Sequence, residues 1–574
     1  NDAQKGMTYI FQSLNSWLYA DDPFAGLEWE KPLAYVKTAL ETDLFEKMIT
    51  EQILDNPHSL LLTMNPIPGL ESKRKTAIQT ECDDYKAGLD GEEIQTLLRE
   101  TKELVEYQKR EDTPEALATI PMLKLEDINP KAEWYPVSEE IVADVPELYY
   151  DAFTNHIVYT RMFFDVQVLP IEMIPYASLL TIFLGNLNTD NYSYGDLDNA
   201  LNIHTGGFNT YLTSYLEDES DEKMLAKFAV FSKVTNTKTG KLFELSNEIL
   251  NHSNISDKDR VKILLTRHLS RLEANVKNNG FGYTRTRLTS YYSNQGMFNE
   301  LKGGLDYYWF VADLVNNFDE NADELIEKLQ NTAAKLFTKD NLLVTVTCSK
   351  DDLQGFNEEL AEFATYLSDE KSEKQTWDFN LETKNEGFQT VSKVQYVIKG
   401  YDYKKLGYDW NGKIRVMNQI LSREWLTNQI RVIGGAYGGF SNFSSSGQVY
   451  FGSYRDPNLK STLENIDASP EFLENFEPSE DVMTRFIIGT ISKMDKPLTP
   501  SDKGNVAVSR YLRNVTAEDV QKDRDDVLST TPEDVRGMSK FVEEILKQNA
   551  YCVYGNEEKV GEHKDLFKKV IKLD

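Results

Sequence analysis

The sequence predicts an α+β chain: a duplicated domain with an antiparallel-rich sheet packed against helices, preceded by part of another α+β domain and a helical hairpin. Two long blocks share one order of strands and helices. A highly charged helical stretch separates them from an N-terminal segment holding too few elements for a domain of its own. At 574 residues, with 40% hydrophobic and 11% aromatic residues, the chain exceeds one core and has ample apolar content for three or four.

In chain order, Met7, Ile10, Phe11, Leu14, Trp17 and Leu18 fall on one helical face. A second helix begins at Pro32, a residue suited to a first turn, and a third runs from Leu44 to Leu54. Asn56-Pro57 ends it, and Ser59 to Met64 (S-L-L-L-T-M) reads as a buried strand. Residues 1–68 are therefore expected to be the C-terminal remnant of an upstream α+β domain.

Residues 69–115 turn charged and helical. Ile94, Leu97, Leu98, Thr101, Leu104 and Val105 keep a narrow apolar stripe, and Gly88 to Gly91 break the run in two, as a helical hairpin linker requires. Thr113 to Pro136, with four prolines, reads as short extended pieces.

The first repeated block, residues 116–385, reads as a strand at His156–Val168, helices at Ile171–Leu187 and Tyr194–Ile203, a strand at Phe208–Leu216 and a late strand at Leu342–Cys348. The second, residues 386–574, reads as a strand at Thr390–Ile398, a helix at Lys413–Gln429, a strand at Gln448–Ser453 and a late strand at Ala550–Tyr554. Duplication of one fold accounts for the shared plan.

A net charge of −31 excludes the electrostatic footprint of a nucleic-acid binder and favours basic partners. Cys82, Cys348 and Cys552 are dispersed, with no C-x-x-C, which points to a reducing soluble compartment. The longest apolar run, near Ile174 to Leu184, is about half of what crosses a bilayer. No secretory leader is visible, and the absence of Met at position 1 leads us to expect that the chain derives from a longer polypeptide.

The six histidines, at 58, 156, 204, 252, 268 and 563, form no H-E-x-x-H or H-x-x-E-H. No nucleophile elbow, P-loop or dinucleotide fingerprint appears, so no metal or cofactor is expected in this chain. The chemistry that remains lies in Gln429–Phe440, Q-I-R-V-I-G-G-A-Y-G-G-F. Four glycines in six residues make a poor strand or helix, so the backbone must bend there or admit another chain against it. Arg431 brings five fixed donors and Tyr437 a hydroxyl. In an unbroken strand the two would stand about 20 Å apart; only a fold-back at Gly434-Gly435, or a substrate lying along both, lets them serve one bond. Otherwise they are a surface arginine and a packed tyrosine.

R-V-I-G-G-A-Y-G-G-F, preceded by S-R-E-W-L-T-N-Q-I, resembles the C-terminal half of the presequence-protease branch of pitrilysin- and insulysin-type zinc metallopeptidases. S-W-L-Y-A-D-D-P-F at 16–24, D-N-P-H-S-L-L-L-T-M at 55–64, and L-N-T-D-N-Y-S-Y-G-D-L-D followed by T-G-G-F agree with it, in one order along the whole chain. The resemblance implies four homologous α+β domains in two halves around a chamber, with an inverted H-x-x-E-H zinc motif in the N-terminal half. This chain would then hold the third domain (116–385, noncatalytic) and the fourth (386–574). Arg431 and Tyr437 would reach across to the substrate, and zinc is expected only in the other half. The helix matching the zinc helix reads I-P-Y-A-S-L-L-T-I-F, with Tyr176 to Leu180 at the five motif positions, which implies packing rather than ligation. The implied partners are the N-terminal catalytic half and an unfolded, basic, targeting-type peptide, with no nucleic acid and no membrane. The implied setting is the bacterial cytoplasm, or alternatively an organelle matrix. The rival expectation is a natural noncatalytic subunit that binds peptide or scaffolds a two-chain complex.

Overall fold

A computed structural model describes residues 2–573 except 111, 118 and 372. Contacts divide the chain into two units, Gln4–Leu123 and one that contains Lys124–Asp574. The first unit is helical: Lys5–Trp17, Glu30–Ala39, Leu44–Ile49 with a π-helical extension Thr50–Leu54, and then Leu70–Gly88 and Gly91–Lys109. Asp90 caps the last of these, its carboxylate accepting from the amides of Glu92 and Glu93 while Glu93 reaches back to the Asp90 amide, a reciprocal capping box.

The expected strand at Ser59–Met64 is absent. These residues form no regular structure and Leu61 is 93% exposed. An apolar run becomes a strand only when a neighbouring strand takes up its amides and carbonyls, and among the described residues none pairs with it. Thr113–Pro136 also departs from extended structure, with short helical turns at Pro114–Leu117 and Leu125–Asp127.

The second unit is built on two six-stranded sheets. The first holds β1 (Ser138–Val142), β2 (Val145–Asp151), β3 (Ile157–Asp165), β4 (Phe208–Leu216), β5 (Met224–Thr235) and β6 (Leu342–Cys348), in the order β1-β2-β6-β3-β5-β4. The second holds β7 (Glu386–Thr390), β8 (Tyr396–Lys399), β9 (Gly438–Phe443), β10 (Val449–Tyr454), β11 (Tyr551–Asn556) and β12 (Lys569–Lys572), in the order β12-β7-β11-β8-β10-β9. Without the outermost strands β1 and β12, the sheets have one topology. In each, the first strand runs parallel to the last, and every other neighbour is antiparallel. The repeat seen in the sequence is thus a repeat of strand order and sense.

One expected strand is really two. Thr390–Ile398 divides into the end of β7 and the start of β8, because the Ser392 amide bonds the Thr390 hydroxyl and the Val394 amide bonds the Ser392 hydroxyl. These local side-chain bonds hold a turn against the pull of a continuous ladder.

Strand alternation sends successive side chains to opposite faces. On one face of the first sheet, Met162, Phe164, Phe228 and Val344 pack beneath helices of their own block. Leu148, Phe163 and Ala229 point the other way and are covered by Val508 and Leu512 of the helix Pro500–Leu512, which comes from the second block. The arrangement is reciprocal: Tyr396, Ile398, Cys552 and Tyr554 of the second sheet are covered by Tyr283 and Leu288 of the helix Gly280–Thr289 from the first block. Both crossing helices carry a glycine where they meet strands of the other block. A Cβ on Gly280 would lie 2.6 Å from the Tyr396 ring and 2.8 Å from that of Tyr554, and one on Gly504 would collide with Thr347.

The same helix sets a buried ion cluster. Arg287 donates to both oxygens of Glu386 on β7 (2.6 and 3.0 Å), to Glu300 (3.0 Å) and to Asp306 (2.8 Å), while the Tyr291 hydroxyl donates to Glu386 (2.9 Å). Burial alone would raise the Glu386 carboxyl, but its bonds to Arg287 hold it below the usual range.

Two tests follow from this packing. Gly280→Leu should lower stability by about 1–3 kcal/mol or more, because ring packing on both sides leaves no room to relax; an unchanged melting temperature would contradict the close approach. Glu147, buried in β2 directly opposite Glu140 of β1, has its carboxyl pushed from an ordinary 4.5 up to about 7, by burial first and then by Glu140. Between those values the folded state holds a proton that the unfolded chain has released, so this group's contribution to stability falls as pH rises from 4.5 to 7. Glu147→Gln should remove that slope and stabilise the protein at a pH of about 8, by on the order of 2–3 kcal/mol, with little gain in mild acid; parallel pH–stability curves would contradict the assignment.

Candidate functional site

The helix that begins at Lys413 does not end at Gln429. It is α-helical to Ile420 and continues in π-helical form over Leu421–Ile433, so Arg431 stands in its last turn rather than on the glycine segment. The wide turn closes with the Gly434 amide bonding the Gln429 carbonyl, five residues back, at 3.0 Å. π-helical turns are rare and concentrate at functional sites. Met417, Leu421, Leu426 and Ile430 bury the inner face, leaving Arg431, Val432 and Ile433 exposed.

The glycines have separate duties. Gly435 takes a left-handed conformation (φ 79°) in which a side chain is strained, and reverses the chain after the helix. Its amide bonds the Arg431 carbonyl at 3.0 Å, and Asn458 donates to the Gly434 carbonyl at 2.6 Å. Gly438 and Gly439 belong to a strand after all, the first two residues of β9. The reason is proximity: a Cβ on Gly439 would lie 2.6 Å from both the Ile430 Cβ and the Leu426 carbonyl, so the helix packs onto β9 only over a bare backbone.

The reversal brings Arg431 and Tyr437 together. The guanidinium stands over the Tyr437 ring at 5.6 Å from its centre, a cation–π contact. The Tyr437 amide bonds the Tyr454 carbonyl at 3.0 Å, and the two rings meet edge to face at 6.0 Å. Tyr437 remains 66% exposed. Among the described residues neither its hydroxyl nor the Arg431 guanidinium has a hydrogen-bonding or ion-pairing partner. The backbone of the turn is thus tied down, while its two functional side chains present donors outward. Such a pair can grip a carbonyl or an oxyanion; it supplies no nucleophile, base or metal.

Sequence reading missed the supports of this turn. Asn458 and Tyr454 stand some twenty residues away in a strand and loop of ordinary composition, and only the β9–β10 register brings them alongside. Arg455, with φ 48°, follows in the same loop, its guanidinium 5.8 Å from the Tyr454 ring centre.

The other sequence candidates lie elsewhere. Tyr176, Ala177, Ser178, Leu179 and Leu180 are all buried in the helix Ile174–Phe183. His156 pairs through Nδ1 with the buried Asp352 at 3.1 Å, and His204 ends the helix Tyr194–His204. Among the described residues no three of His, Cys, Asp or Glu are placed to hold a metal ion, and no helix is long and apolar enough to cross a membrane.

Two family models match the chain. The one for the region associated with peptidases of family M16, subfamily C, covers residues 64–314, and "PreP C-terminal domain" covers residues 385–554. The chain is 36% identical to Protein HypA of Clostridium perfringens over 98% of its own length and 58% of that protein. It is 29% identical to presequence protease 1, chloroplastic/mitochondrial, of Arabidopsis thaliana, covering 97% of this chain and 52% of that one. The chain thus spans just over half the length of these curated relatives. Among solved structures, the peptidase M16 inactive domain from Pseudomonas fluorescens superposes with a TM-score of 0.52 at 14% identity, over 73% of this chain and 98% of that chain, a likeness of fold.

The contact at Gly439 yields a direct test. Gly439→Val should lift the Leu421–Ile433 helix from β9 and lower stability by about 1–3 kcal/mol, whereas Tyr437→Phe, at an exposed and unbonded hydroxyl, should leave the thermal midpoint within error. A large loss of stability in Tyr437→Phe would mean that the tyrosine is there for packing.

Proposed function

The chain belongs to the presequence-protease branch of the pitrilysin-type peptidases, and on that premise we propose that it is the substrate-chamber half of a zinc metalloendopeptidase that degrades unfolded, targeting-type peptides. The observation that carries this reading is the convergence of Arg431 and Tyr437 on one rigid, exposed turn with their donors unengaged. In this reading residues 1–68 complete an upstream domain, 69–115 form a hairpin linker, and 116–385 and 386–574 are the third and fourth α+β domains. The ligand set for zinc, which polarises a scissile carbonyl and activates water when bound, lies in the other half, because the residues here do not fit it. Alone, this chain is inactive.

The two side chains divide the work by chemistry. The Tyr437 hydroxyl donates one hydrogen bond to the oxygen on which negative charge develops, and the fixed backbone around it means that no reorganisation is needed at that moment. Arg431 holds a substrate carbonyl or shares that oxygen, and its position over the ring fixes its direction. The net charge of −31 supports a basic substrate, drawn in by long-range attraction that salt weakens.

In an enzyme reconstituted with the zinc-binding half, Tyr437→Phe should depress kcat and kcat/KM together by roughly 10²-fold or more. Arg431→Ala should also raise KM, and the double variant should be less impaired than the product of the singles if both groups serve one oxygen. Normal turnover in a well-folded Tyr437→Phe enzyme would refute the assignment.

A further inference from the structure

The β9–β10 hairpin and the helices Gly280–Thr289 and Asn294–Gly303 border a cavity of about 550 Å³. Its lining includes Arg285 and Lys302 with the neutral groups of Asn299, Asn442, Gln448 and Tyr450, and among the described lining residues there is no carboxylate. In a chain of net charge −31 that is a conspicuous exclusion of acids. Lys302 is largely enclosed; its amine donates to the Leu212 carbonyl at 2.9 Å, sits 5.3 Å from the centre of the Phe298 ring, and has no ion pair among the described residues. Burial draws its pKa down to about 8, the mark of a cation lacking a counter-ion. An ammonium has three donors, so the Leu212 carbonyl leaves two to spare. Arg285 is exposed and likewise unpaired among the described residues.

The cavity is in line with the Arg431–Tyr437 turn. Asn442 lies five residues along β9 from Tyr437, about 16 Å at ~3.3 Å per residue. Between them, Phe281 packs against Phe440 at 5.3 Å and against Tyr454, the ring partner of Tyr437, at 6.1 Å. Arg285 follows Phe281 by one helical turn, on the same face. An aromatic strip therefore joins the exposed tyrosine to a cationic pocket, over the length of about five extended residues.

We infer that this cavity binds a carboxylate, specifically the free C-terminus of a peptide whose scissile bond lies at Tyr437, so that Lys302 and Arg285 measure about five residues beyond the cleavage point. The inference rests on the peptide-chamber reading above. Its shared chemistry is that of a small oxyanion, which inorganic phosphate also offers.

The test uses the full chain, fluorescence anisotropy at low salt, and one basic, labelled decapeptide made with a free C-terminal carboxylate or with a C-terminal amide. Amidation should weaken binding about tenfold or more, and the difference should shrink to within about twofold in Arg285→Gln, an exposed position whose replacement leaves the fold intact. Lys302→Met, checked for folding because Lys302 also holds the Leu212 carbonyl, should do the same. Inorganic phosphate should compete with the acid peptide and not with the amide. Equal binding of the two peptides overturns the inference while leaving the chamber reading standing. Phosphate binding lost in Arg285→Gln without any acid–amide difference assigns the pocket to a free anion and also overturns it. Failure of both peptides to bind removes the chamber reading itself.

Discussion

Everything in the second unit depends on how two six-stranded sheets dispose of their second faces. Each sheet buries one face under helices of its own block, which leaves a row of Leu, Phe, Ile and Tyr side chains on the other. The solution is exchange: Gly280–Thr289 crosses to the second sheet and Pro500–Leu512 crosses to the first. Close approach of helix to strand is possible because a glycine stands at each crossing. Exchange also explains why so many polar anchors join the blocks. The Tyr554 hydroxyl bonds the Val276 carbonyl at 2.7 Å, the Tyr292 hydroxyl bonds the Val449 carbonyl at 3.1 Å, and Arg287 reaches Glu386. A buried cation with several carboxylates is weak evidence for stability, since desolvation offsets much of the attraction. Its value here is registry: only one placement of the crossing helix lets a planar guanidinium meet both Glu386 oxygens.

That rigidity reaches the Arg431–Tyr437 turn. β9 is an edge strand, and edges are liabilities unless they are covered. Here the Leu421–Ile433 helix covers it. Ser422 accepts from the Ser441 amide at 3.0 Å, and the Thr427 hydroxyl donates to the Gly439 carbonyl at 3.2 Å, so the edge is capped by hydroxyl groups instead of another strand. On the far face, Phe281 from the crossing helix presses against Phe440 and Tyr454. The turn is therefore held from both sides by elements of both blocks, and what remains free is confined to exposed side-chain atoms. Such a division, fixed backbone with unengaged donors, suits a site that stabilises charge it does not itself create.

The duplication sharpens the contrast between the blocks. In the first, the helix Ile174–Phe183 presents Tyr176, Ala177, Leu179 and Leu180 to the core. In the second, the corresponding helix ends in π-helical form and delivers an arginine to solvent. One topology thus serves packing in one copy and presentation in the other, and the difference lies in a widened final turn and four glycines.

By itself the sequence determined the α+β class, the repeat, the absence of a metal motif and the identity of the two residues at the turn. Periodicity and composition are local properties, and the glycine cluster around Tyr437 is legible because glycine has few other reasons to gather. What it could not determine was partnership. Ser59–Met64 looks like a strand and is none, because a strand is completed by a neighbour that local pattern does not contain. Thr390–Ile398 reads as one strand and is two, because a hydroxyl-bonded turn outcompetes the ladder. Gly438 and Gly439 read as loop and begin β9, because only the packed helix shows that a Cβ on Gly439 would strike Leu426 and Ile430. The separation of Arg431 and Tyr437, the cover of each sheet by the other block, and the meeting of Arg285 with Lys302 were decided by tertiary structure alone, since each depends on contacts between residues that are distant in the chain or on a reversal whose direction the spacing leaves open.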